Sequence, residues 1–300
     1  MKTTVPLQGA CLYVPAVHRG LDRVLRGEAV PGLRQAVVCL EDAVAEAEVP
    51  AALARLRGVA RCPSGRGPRV FVRPRDPAML LELLAWPESA GWDGFALPKV
   101  TVATAAHWLG PLAKTRFAAM PIFETAEVFD PYALRDLCAA VEAPAWRDRV
   151  EVVRIGGADL FAALGARRPA ARTVYDSVLG PTVRAVAALL MSRGLHVTAP
   201  VWEGVAPSRA MREEVAMDVE AGLVGKTAIH PRQVPVIDAA FRVSPEELAE
   251  AERVLAAGEA VFLSRGAMCE RAPHARWAAR VVARASAFGV AGERAEPARA

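Results

Sequence analysis

The sequence lacks the features that mark membrane, secreted and zinc-binding proteins. No run of about 18 apolar residues occurs in the chain, so we expect no transmembrane helix. The N-terminal stretch MKTTVPLQGA has no long apolar segment of the kind found in secretory signals. The five cysteines lie far apart and form no Cys-x-x-Cys pair, which argues against a disulfide framework or a zinc site. We therefore expect a cytoplasmic protein.

Lysine is also scarce, and the basic residues are not clustered. Arginine supplies most of the 37 basic residues, which are scattered among 33 acidic residues and give a formal net charge of +4. A nucleic-acid-binding protein would gather such residues into a basic patch or stripe. We therefore expect neither a nucleic-acid partner nor a membrane partner. With 53% hydrophobic residues, the chain is long and apolar enough to bury a large core.

The chain has no Gly-x-Gly-x-x-Gly turn after its first predicted strand, which argues against a doubly wound dinucleotide-binding fold. Instead, eight short apolar runs rich in valine and isoleucine alternate with amphipathic helical segments. This alternation predicts βαβ units and a parallel sheet, and eight such units predict an α/β fold, the (β/α)₈ TIM barrel. The predicted strands are Ala10–Pro15, Ala36–Leu40, Arg69–Arg73, Gly94–Pro98, Arg116–Phe123, Glu151–Ile155, His196–Trp202 and Gly225–Ile229.

Two further helices are predicted beyond the eighth strand. The sequence SPEE at 244–247 is a strong helix start, with serine as N-cap and proline at the first helical position. We expect this helix to run to about Phe262 and another to cover about 273–288. The predicted division is a barrel, a C-terminal helical extension packed on the barrel or on a neighbouring subunit, and a disordered tail, at 1–243, 244–289 and 290–300.

Ionisable residues follow all eight predicted strands. In a (β/α)₈ barrel the C-terminal ends of the strands meet at one mouth, where active sites lie. Polar residues are expected wherever a strand emerges into water, but eight successive ionisable strand ends with both signs of charge favour a functional site. The candidates are His18, Glu41, Asp42, Arg73, Lys99, Glu124, Asp159, Glu203 and His230.

Carboxylates are in excess at these strand ends, and like charges that share one pocket repel unless a cation neutralises them. Oxygen ligands favour a hard ion such as Mg²⁺, which takes one or two protein carboxylates. Glu124 and Asp159 follow adjacent strands and are the candidate metal ligands, while Gly156 and Gly157 let substrate or metal approach the backbone. The alternative is that the two carboxylates only form ion pairs with arginines, Arg73 and Arg154.

Seven sequence features, in this order and spacing, resemble those of a known enzyme family. From about residue 10 to residue 285 the chain is similar to the HpcH/HpaI aldolase and citrate lyase β-subunit family. Within that family, the segments at 164–181 and 198–203 resemble a branch of C–C bond lyases associated with tellurium-resistance gene clusters. The features that carry the family resemblance are LYVP at 12–15, LEDAV at 40–44, VRP at 72–74, LPKV at 97–100, the strand end at Glu124, IGGADL at 155–160 and KTAIHPRQV at 226–234.

The resemblance implies a TIM barrel and Mg²⁺-dependent cleavage or formation of a carbon–carbon bond next to a carbonyl group. It implies that Glu124 and Asp159 hold the metal and that Arg73 holds a carbonyl or carboxylate oxygen of the substrate. Cleavage leaves an enolate, which Mg²⁺ and a fixed arginine can stabilise. The other residues that match family motifs are the acidic pair Glu41 and Asp42, the lysine Lys99 and the histidine His230.

The proton-transfer group has three candidates, His18, Glu203 and His230. His18 and Glu203 are also candidates for substrate binding, together with Gly156 and Gly157. The expected substrate is a small oxo- or hydroxy-acid, free or as an acyl-CoA thioester, and the resemblance implies a homo-oligomer, a trimer or a hexamer. Two alternatives to this reading are a Schiff-base aldolase that uses Lys99 and a metabolite-binding barrel without turnover.

Overall fold

The structure is a computed structural model that describes residues 6–59, 67–256, 258, 260–264 and 266–292. It divides into two compact units, one of residues Gln8–Ile237 and one of residues Met1–Leu7 and Asp238–Ala300. The larger unit is built on eight short strands. These are β1 Gly9–Pro15, β2 Gln35–Cys39, β3 Arg69–Arg73, β4 Gly94–Leu97, β5 Ala118–Phe123, β6 Val153–Ile155, β7 Val197–Thr198 and β8 Gly225–Ala228.

The eight strands form one parallel sheet that closes on itself. Their order is β7-β6-β5-β4-β3-β2-β1-β8, and every hydrogen-bonded pair is parallel. The two outer strands of this order also meet, because Val224 N–H donates to Val197 O at 2.9 Å and Ala199 N–H donates to Gly225 O at 2.8 Å. The predicted (β/α)₈ barrel is therefore confirmed.

The helices begin where the sequence supplies caps. Asp76 Oδ1 accepts from Met79 N–H at 2.8 Å, Asp130 Oδ1 accepts from Tyr132 N–H at 2.7 Å, and a proline follows each aspartate. Such caps satisfy donors that have no partner within the helix. The helices up to the end of the barrel are α1 Leu21–Leu25, α2 Val49–Gly58, α3 Pro77–Leu84, α4 Ala105–Leu109, α5 Pro131–Val141, α6 Gly157–Ala163, α7 Gly180–Ser192, α8 Arg209–Glu220 and α9 Val234–Ala240.

Polar side chains fill part of the barrel interior. Gln8 Oε1 accepts hydrogen bonds from Gln35 Nε2 and from Arg154 Nη1, each at 3.1 Å. Arg154 is only 1% exposed, and its Nη2 donates to Thr227 Oγ1 at 2.6 Å. Gln8 Nε2 in turn donates to Glu151 at 3.1 Å. These hydrogen bonds offset the cost of burying the polar groups.

A second buried polar cluster lies between β8 and α8. Lys226 Nζ donates to Glu214 Oε1 at 2.6 Å and to Asp218 Oδ2 at 2.9 Å, and all three side chains are fully buried. Glu214 also pairs with Arg168, and Tyr175 Oη donates to Asp218 at 2.6 Å. Lys226 is thus held by the helix that covers its strand, and the cluster ties α8 to the sheet.

The C-terminal unit contains two helices and a hairpin, and here one prediction is wrong. The helix that Ser244 caps ends at Leu255 and does not reach Phe262. Phe262 instead lies in a strand, where it is buried between two exposed residues, Val261 and Leu263. This alternation has the period of a strand, not that of a helix. The elements are α10 Pro245–Leu255, β9 Val261–Ser264, β10 Ala267–Glu270 and α11 Arg271–Phe288.

The core of the C-terminal unit is a single apolar cluster. Its buried members are Val243, Ala251, Val254, Phe262, Cys269, Ala278 and Val281. Val290, the first residue of the predicted tail, pairs with Val243 in an isolated parallel bridge, so this part of the tail has a defined place. Residues 293–300 of the predicted tail lie outside the described residues. Within the described ranges, none of the helices has the length and apolar character that crossing a membrane requires.

Candidate active site

Six of the predicted site residues lie together at the C-terminal ends of the strands. They lie at the end of β3, in the turns after β2, β4 and β5, and in the first turn of α6, and each is linked to at least one other by a hydrogen bond or ion pair. We call this group the rim cluster. It consists of Glu41, Asp42, Arg73, Lys99, Glu124 and Asp159.

Arg73, the last residue of β3, contacts three carboxylates of the rim cluster. Its Nη2 lies 2.6 Å from Glu41 Oε2, 3.2 Å from Asp42 Oδ2 and 3.2 Å from Glu124 Oε1. All three contacts use the same nitrogen, and the buried Nε has no hydrogen-bond partner among the described residues. A guanidinium group carries several N–H donors in a fixed planar arrangement. The contacts at Nη2 therefore hold Arg73 in place, while its Nε can still donate a hydrogen bond to a ligand.

Lys99 follows β4 and contributes both its backbone and its side chain. Its φ of +48° lies in the left-handed region, which is uncommon for a residue with a side chain. In this conformation its backbone N–H donates to Glu124 Oε1 at 2.8 Å. The ammonium group pairs with Glu41, lies 3.1 Å from Asp42 Oδ1 and lies 3.8 Å from Asp159 Oδ1.

The charge state of Lys99 does not suit a Schiff base. Partial burial lowers the pKa of its ammonium group, but the hydrogen bonds and charges of Glu41 and Asp42 raise the pKa above its usual value. A Schiff-base lysine needs a neutral amine, which a lowered pKa would favour. The geometry therefore favours an ion-pairing lysine.

Glu124 is a buried carboxylate in a crowded place. The pKa of Glu124 is raised to about 8, because burial and the negative charge of Asp159 raise it more than the positive charge of Arg73 lowers it. A Cβ atom added to Gly156 would collide with the Glu124 carboxylate, so only glycine fits there. A Cβ on Gly157 would lie 2.9 Å from Pro200 Cβ, which explains the second glycine by close packing.

The turn after β2 holds Glu41 and Asp42 in fixed positions. Glu41 Oε2 accepts from the Asp42 N–H at 2.9 Å, and Arg75 Nη1 donates to Leu40 O at 3.1 Å and to Val44 O at 2.9 Å. Burial and the hydrogen bond from Asp42 raise the pKa of Glu41. Burial works in the same direction on Asp42, but the hydrogen bond with Glu41 and the charge of Arg73 lower its pKa overall.

The side chains of the rim cluster fit a hard divalent cation. Its possible metal ligands are all carboxylate oxygens. Glu124 and Asp159 are close enough for the charge of Asp159 to raise the pKa of Glu124. Among the described residues, both hydrogen bonds to the Glu124 carboxylate are on Oε1, and Oε2 lies beside Gly156. No group of three or more His, Cys, Asp or Glu side chains with metal-site geometry occurs in the described part of the chain. Mg²⁺ requires only one or two protein carboxylates.

Three predicted site residues do not join the rim cluster through any hydrogen bond or ion pair of the described residues. His18 Nδ1 accepts from Gly20 N–H at 3.1 Å on an exposed turn. His230 Nδ1 accepts from Arg232 N–H at 3.2 Å and so caps a short 3₁₀ helix. Glu203 is exposed. Their predicted roles in proton transfer or substrate binding stay predictions.

The alternative to a metal site was that Glu124 and Asp159 only form ion pairs with Arg73 and Arg154, and these two arginines have different partners in the structure. Arg73 does pair with Glu124, but Arg154 bonds to Gln8 and Thr227 deeper in the barrel. Tyr13, which the sequence reasoning missed, lies close to Arg154, whose Cζ is 5.4 Å from the tyrosine ring centroid. The sequence feature that could have pointed to Tyr13 is its hydroxyl group, since the other side chains of β1 are apolar.

Comparison with known proteins agrees with this arrangement. The family model described as C–C bond lyases of the TIM-barrel fold matches residues 3–290. The chain belongs to this family of C–C bond lyases. The resemblance to citrate lyase β-subunits that the sequence motifs carry is thereby confirmed.

Individual members of the C–C bond lyase family and related proteins are similar over much of the chain. The citrate lyase subunit beta-like protein of Mycobacterium tuberculosis is 31% identical over 229 residues, which are 74% of this chain and 76% of that protein. A crystal structure of CitE from M. tuberculosis in complex with magnesium, acetoacetate and coenzyme A has a TM-score of 0.69 and 26% identity, over 94% of this chain and 99% of that one. The (3S)-malyl-CoA thioesterase of Cereibacter sphaeroides is 32% identical over 111 residues, 37% of this chain and 38% of that protein.

Proposed function

We propose that this chain is a Mg²⁺-dependent lyase that cleaves or forms a carbon–carbon bond next to a carbonyl group. The substrate is a small oxo- or hydroxy-acid, either free or as an acyl-CoA thioester. The observation that carries the proposal is the rim cluster, in which four carboxylates and two cations converge at the mouth of a closed barrel. The CitE structure with magnesium, acetoacetate and coenzyme A supports the same chemistry.

Glu124 and Asp159 are the residues that would hold the metal. Bound Mg²⁺ supplies positive charge to a substrate oxygen and so favours the build-up of negative charge there. The Lys99 N–H fixes Glu124 Oε1 in place, and Gly156 leaves space beside Oε2. An oxygen of Glu124 is thus oriented before any ligand arrives, which is what a metal site requires.

Arg73 would bind the carbonyl or carboxylate oxygen on which charge develops. Glu41 and Asp42 hold its Nη2, so the fork keeps its orientation while Nε has no hydrogen-bond partner among the described residues. A preorganised donor of this kind stabilises the enolate more than it stabilises the ground-state substrate. Lys99 balances the charge of the acidic pair, and this is the role that we assign to it.

The remaining expectations accompany this proposal as predictions. They are a substrate-binding role for His18, Glu203 and the two glycines, a catalytic role for His230, a cytoplasmic location and a homo-oligomer. The relative that carries the name malyl-CoA thioesterase supports testing acyl-CoA substrates beside free acids.

The test combines metal binding with turnover. Calorimetry measures Mg²⁺ affinity, and mass spectrometry follows cleavage products from a panel of hydroxy-acids and their CoA thioesters. We expect Glu124→Gln and Asp159→Asn each to weaken Mg²⁺ binding at least tenfold and to abolish turnover. Asp136→Asn is the control, because Asp136 is an exposed carboxylate on α5 whose ion-pair partner is the neighbouring Arg135.

The proposal is wrong if the two variants bind Mg²⁺ as tightly as the control does. It is also wrong if Mg²⁺ binding is lost while turnover continues in the presence of EDTA. Borohydride treatment in the presence of substrate covers the Schiff-base alternative. An adduct trapped on Lys99 would replace the metal mechanism with an amine mechanism.

A further inference from the structure

Tyr13 lies on the inner face of the barrel below the rim cluster. In the register of the sheet, Pro15 is level with Cys39 and Cys39 is level with Arg73, so all three share one face. Tyr13 is two residues before Pro15 and shares that face about 6–7 Å deeper along the strand. Its side chain is partly exposed, whereas the residues on either side of it in β1 are buried.

Arg154 places a buried positive charge against the Tyr13 ring. Its Cζ is 5.4 Å from the ring centroid, and the residue is 1% exposed. Its oxygen partners, Gln8 Oε1 and Thr227 Oγ1, are both neutral, and no carboxylate of the described residues forms an ion pair with it. A buried cation without a carboxylate partner favours negative charge on the ionisable group beside it.

The charges around Tyr13 suit a group that gives up a proton and takes it back. The pKa of Tyr13 is raised to about 12, because burial, with smaller contributions from Cys11 and Glu124, raises it more than the positive charges of Arg154 and Arg73 lower it. The phenol is therefore protonated at neutral pH. The two arginines stabilise the phenolate at the moment when the proton leaves.

We propose that the Tyr13 hydroxyl donates a proton to the enolate carbon that remains after the carbon–carbon bond breaks. This inference rests on the proposed function. When the bond breaks, its electron pair passes into the enolate. The enolate carbon then forms a C–H bond with the phenol proton, and the electron pair of the broken O–H bond stays on the Tyr13 oxygen. Water reprotonates the phenolate and accepts the proton lost by the substrate hydroxyl, so the protons balance.

Hydrogen–deuterium exchange runs this step in reverse and tests it directly. The protein is incubated in D₂O with Mg²⁺ and either pyruvate or acetyl-CoA, and NMR follows the loss of methyl protons. We expect Tyr13→Phe to slow the exchange at least about 100-fold, the usual lower bound for general acid–base catalysis. Tyr132→Phe, at a tyrosine that is 72% exposed, serves as the control and should exchange at the parent rate.

Two further measurements separate proton transfer from a structural role. Tyr13→Phe should bind oxalate in the presence of Mg²⁺ within twofold of the parent, because oxalate resembles the enolate but requires no proton. Replacement of Tyr13 by 3,5-difluorotyrosine keeps the shape and acidifies the phenol. It should move the pH profile of exchange to lower pH by more than one unit.

The outcomes distinguish this inference from the proposed function. Equal exchange by the parent and by Tyr13→Phe overturns the role of Tyr13 and leaves the lyase proposal intact. If Tyr13→Phe also loses oxalate binding, an unchanged pH profile of the difluorotyrosine protein overturns the role of Tyr13. If the parent shows no Mg²⁺-dependent exchange with either probe, both proposals are overturned.

Discussion

At the scale of single residues, the space beside Glu124 is the feature on which metal binding depends most. We expect Gly156→Ala to lower the Mg²⁺ affinity at least tenfold, about 1.4 kcal/mol, because the added methyl group would occupy the position of the Glu124 carboxylate. Calorimetric titration with Mg²⁺ measures the change. Gly110→Ala is a matched control, since a Cβ at that glycine meets nothing within 4 Å. Equal affinities of the two variants would contradict the role of this space.

The residue scale also shows what sequence reasoning could and could not reach. Glu124 and Asp159 were predictable because each follows a recognisable strand, and parallel strands bring their ends to one mouth. The positive φ of Lys99 was not predictable, because it depends on a hydrogen bond to Glu124 from a different strand. The contact of His230 was not predictable either, because only the folded turn shows that its Nδ1 accepts a hydrogen bond from Arg232 N–H; its catalytic role stays a prediction.

At the scale of elements, the buried cluster between α8 and β8 holds the barrel wall together. Glu214 accepts from Lys226 and pairs with Arg168, so Glu214→Ala leaves two buried cations each without one partner. We expect the free energy of unfolding to fall by about 3–5 kcal/mol, measured by urea denaturation. The neighbouring Glu213 pairs with Arg209 on the surface of the same helix, and Glu213→Ala should cost only about 0.3–0.5 kcal/mol. A difference below about 1 kcal/mol between the variants would rule out this role.

Helix starts were predictable from the sequence where a capping residue and a proline mark them locally. The start of the helix Pro131–Val141 is an example, because Asp130 caps it and a proline follows the cap. The hairpin of the C-terminal unit was missed because the helical pattern after Ser244 continues into an apolar stretch. Only the alternating burial of 261–264 distinguishes that stretch from more helix, and burial is a property of the folded unit.

At the scale of the whole molecule, the barrel brings together residues that are far apart in sequence. The rim cluster draws on segments from Glu41 to Asp159, and each segment alone carries a weak signal. Once the eight strands are recognised as one barrel, these residues are expected to form a single site, because a closed parallel barrel has a single C-terminal mouth. The fold and all six members of the rim cluster were therefore predictable together. Tyr13 was not, because its neighbours Arg154 and Arg73 approach it only across the barrel interior.

If the rim cluster binds Mg²⁺ as proposed, the stability of the barrel will depend on Mg²⁺. A ligand that binds only the folded state at 100 times its Kd raises the free energy of unfolding by about 2.7 kcal/mol. For a chain of this size we expect the melting temperature to rise by roughly 5 °C, and EDTA should reverse the rise. Tryptophan fluorescence is a suitable probe, because five of the six tryptophans, Trp86, Trp92, Trp108, Trp146 and Trp202, lie in the barrel unit.

The control for this thermal measurement is NaCl at matched ionic strength, since screening of surface charge also changes stability. Asp159→Asn provides a second control, because it removes one proposed ligand while keeping the size of the side chain. The parent should gain stability from Mg²⁺ but not from NaCl, and the variant should gain little from either salt. If the variant gains as much as the parent does, Mg²⁺ stabilises the barrel from a place other than the rim cluster. The electrostatic account of four converging carboxylates would then need a different counter-charge, for which Lys99 and Arg73 are the cations already in contact with them.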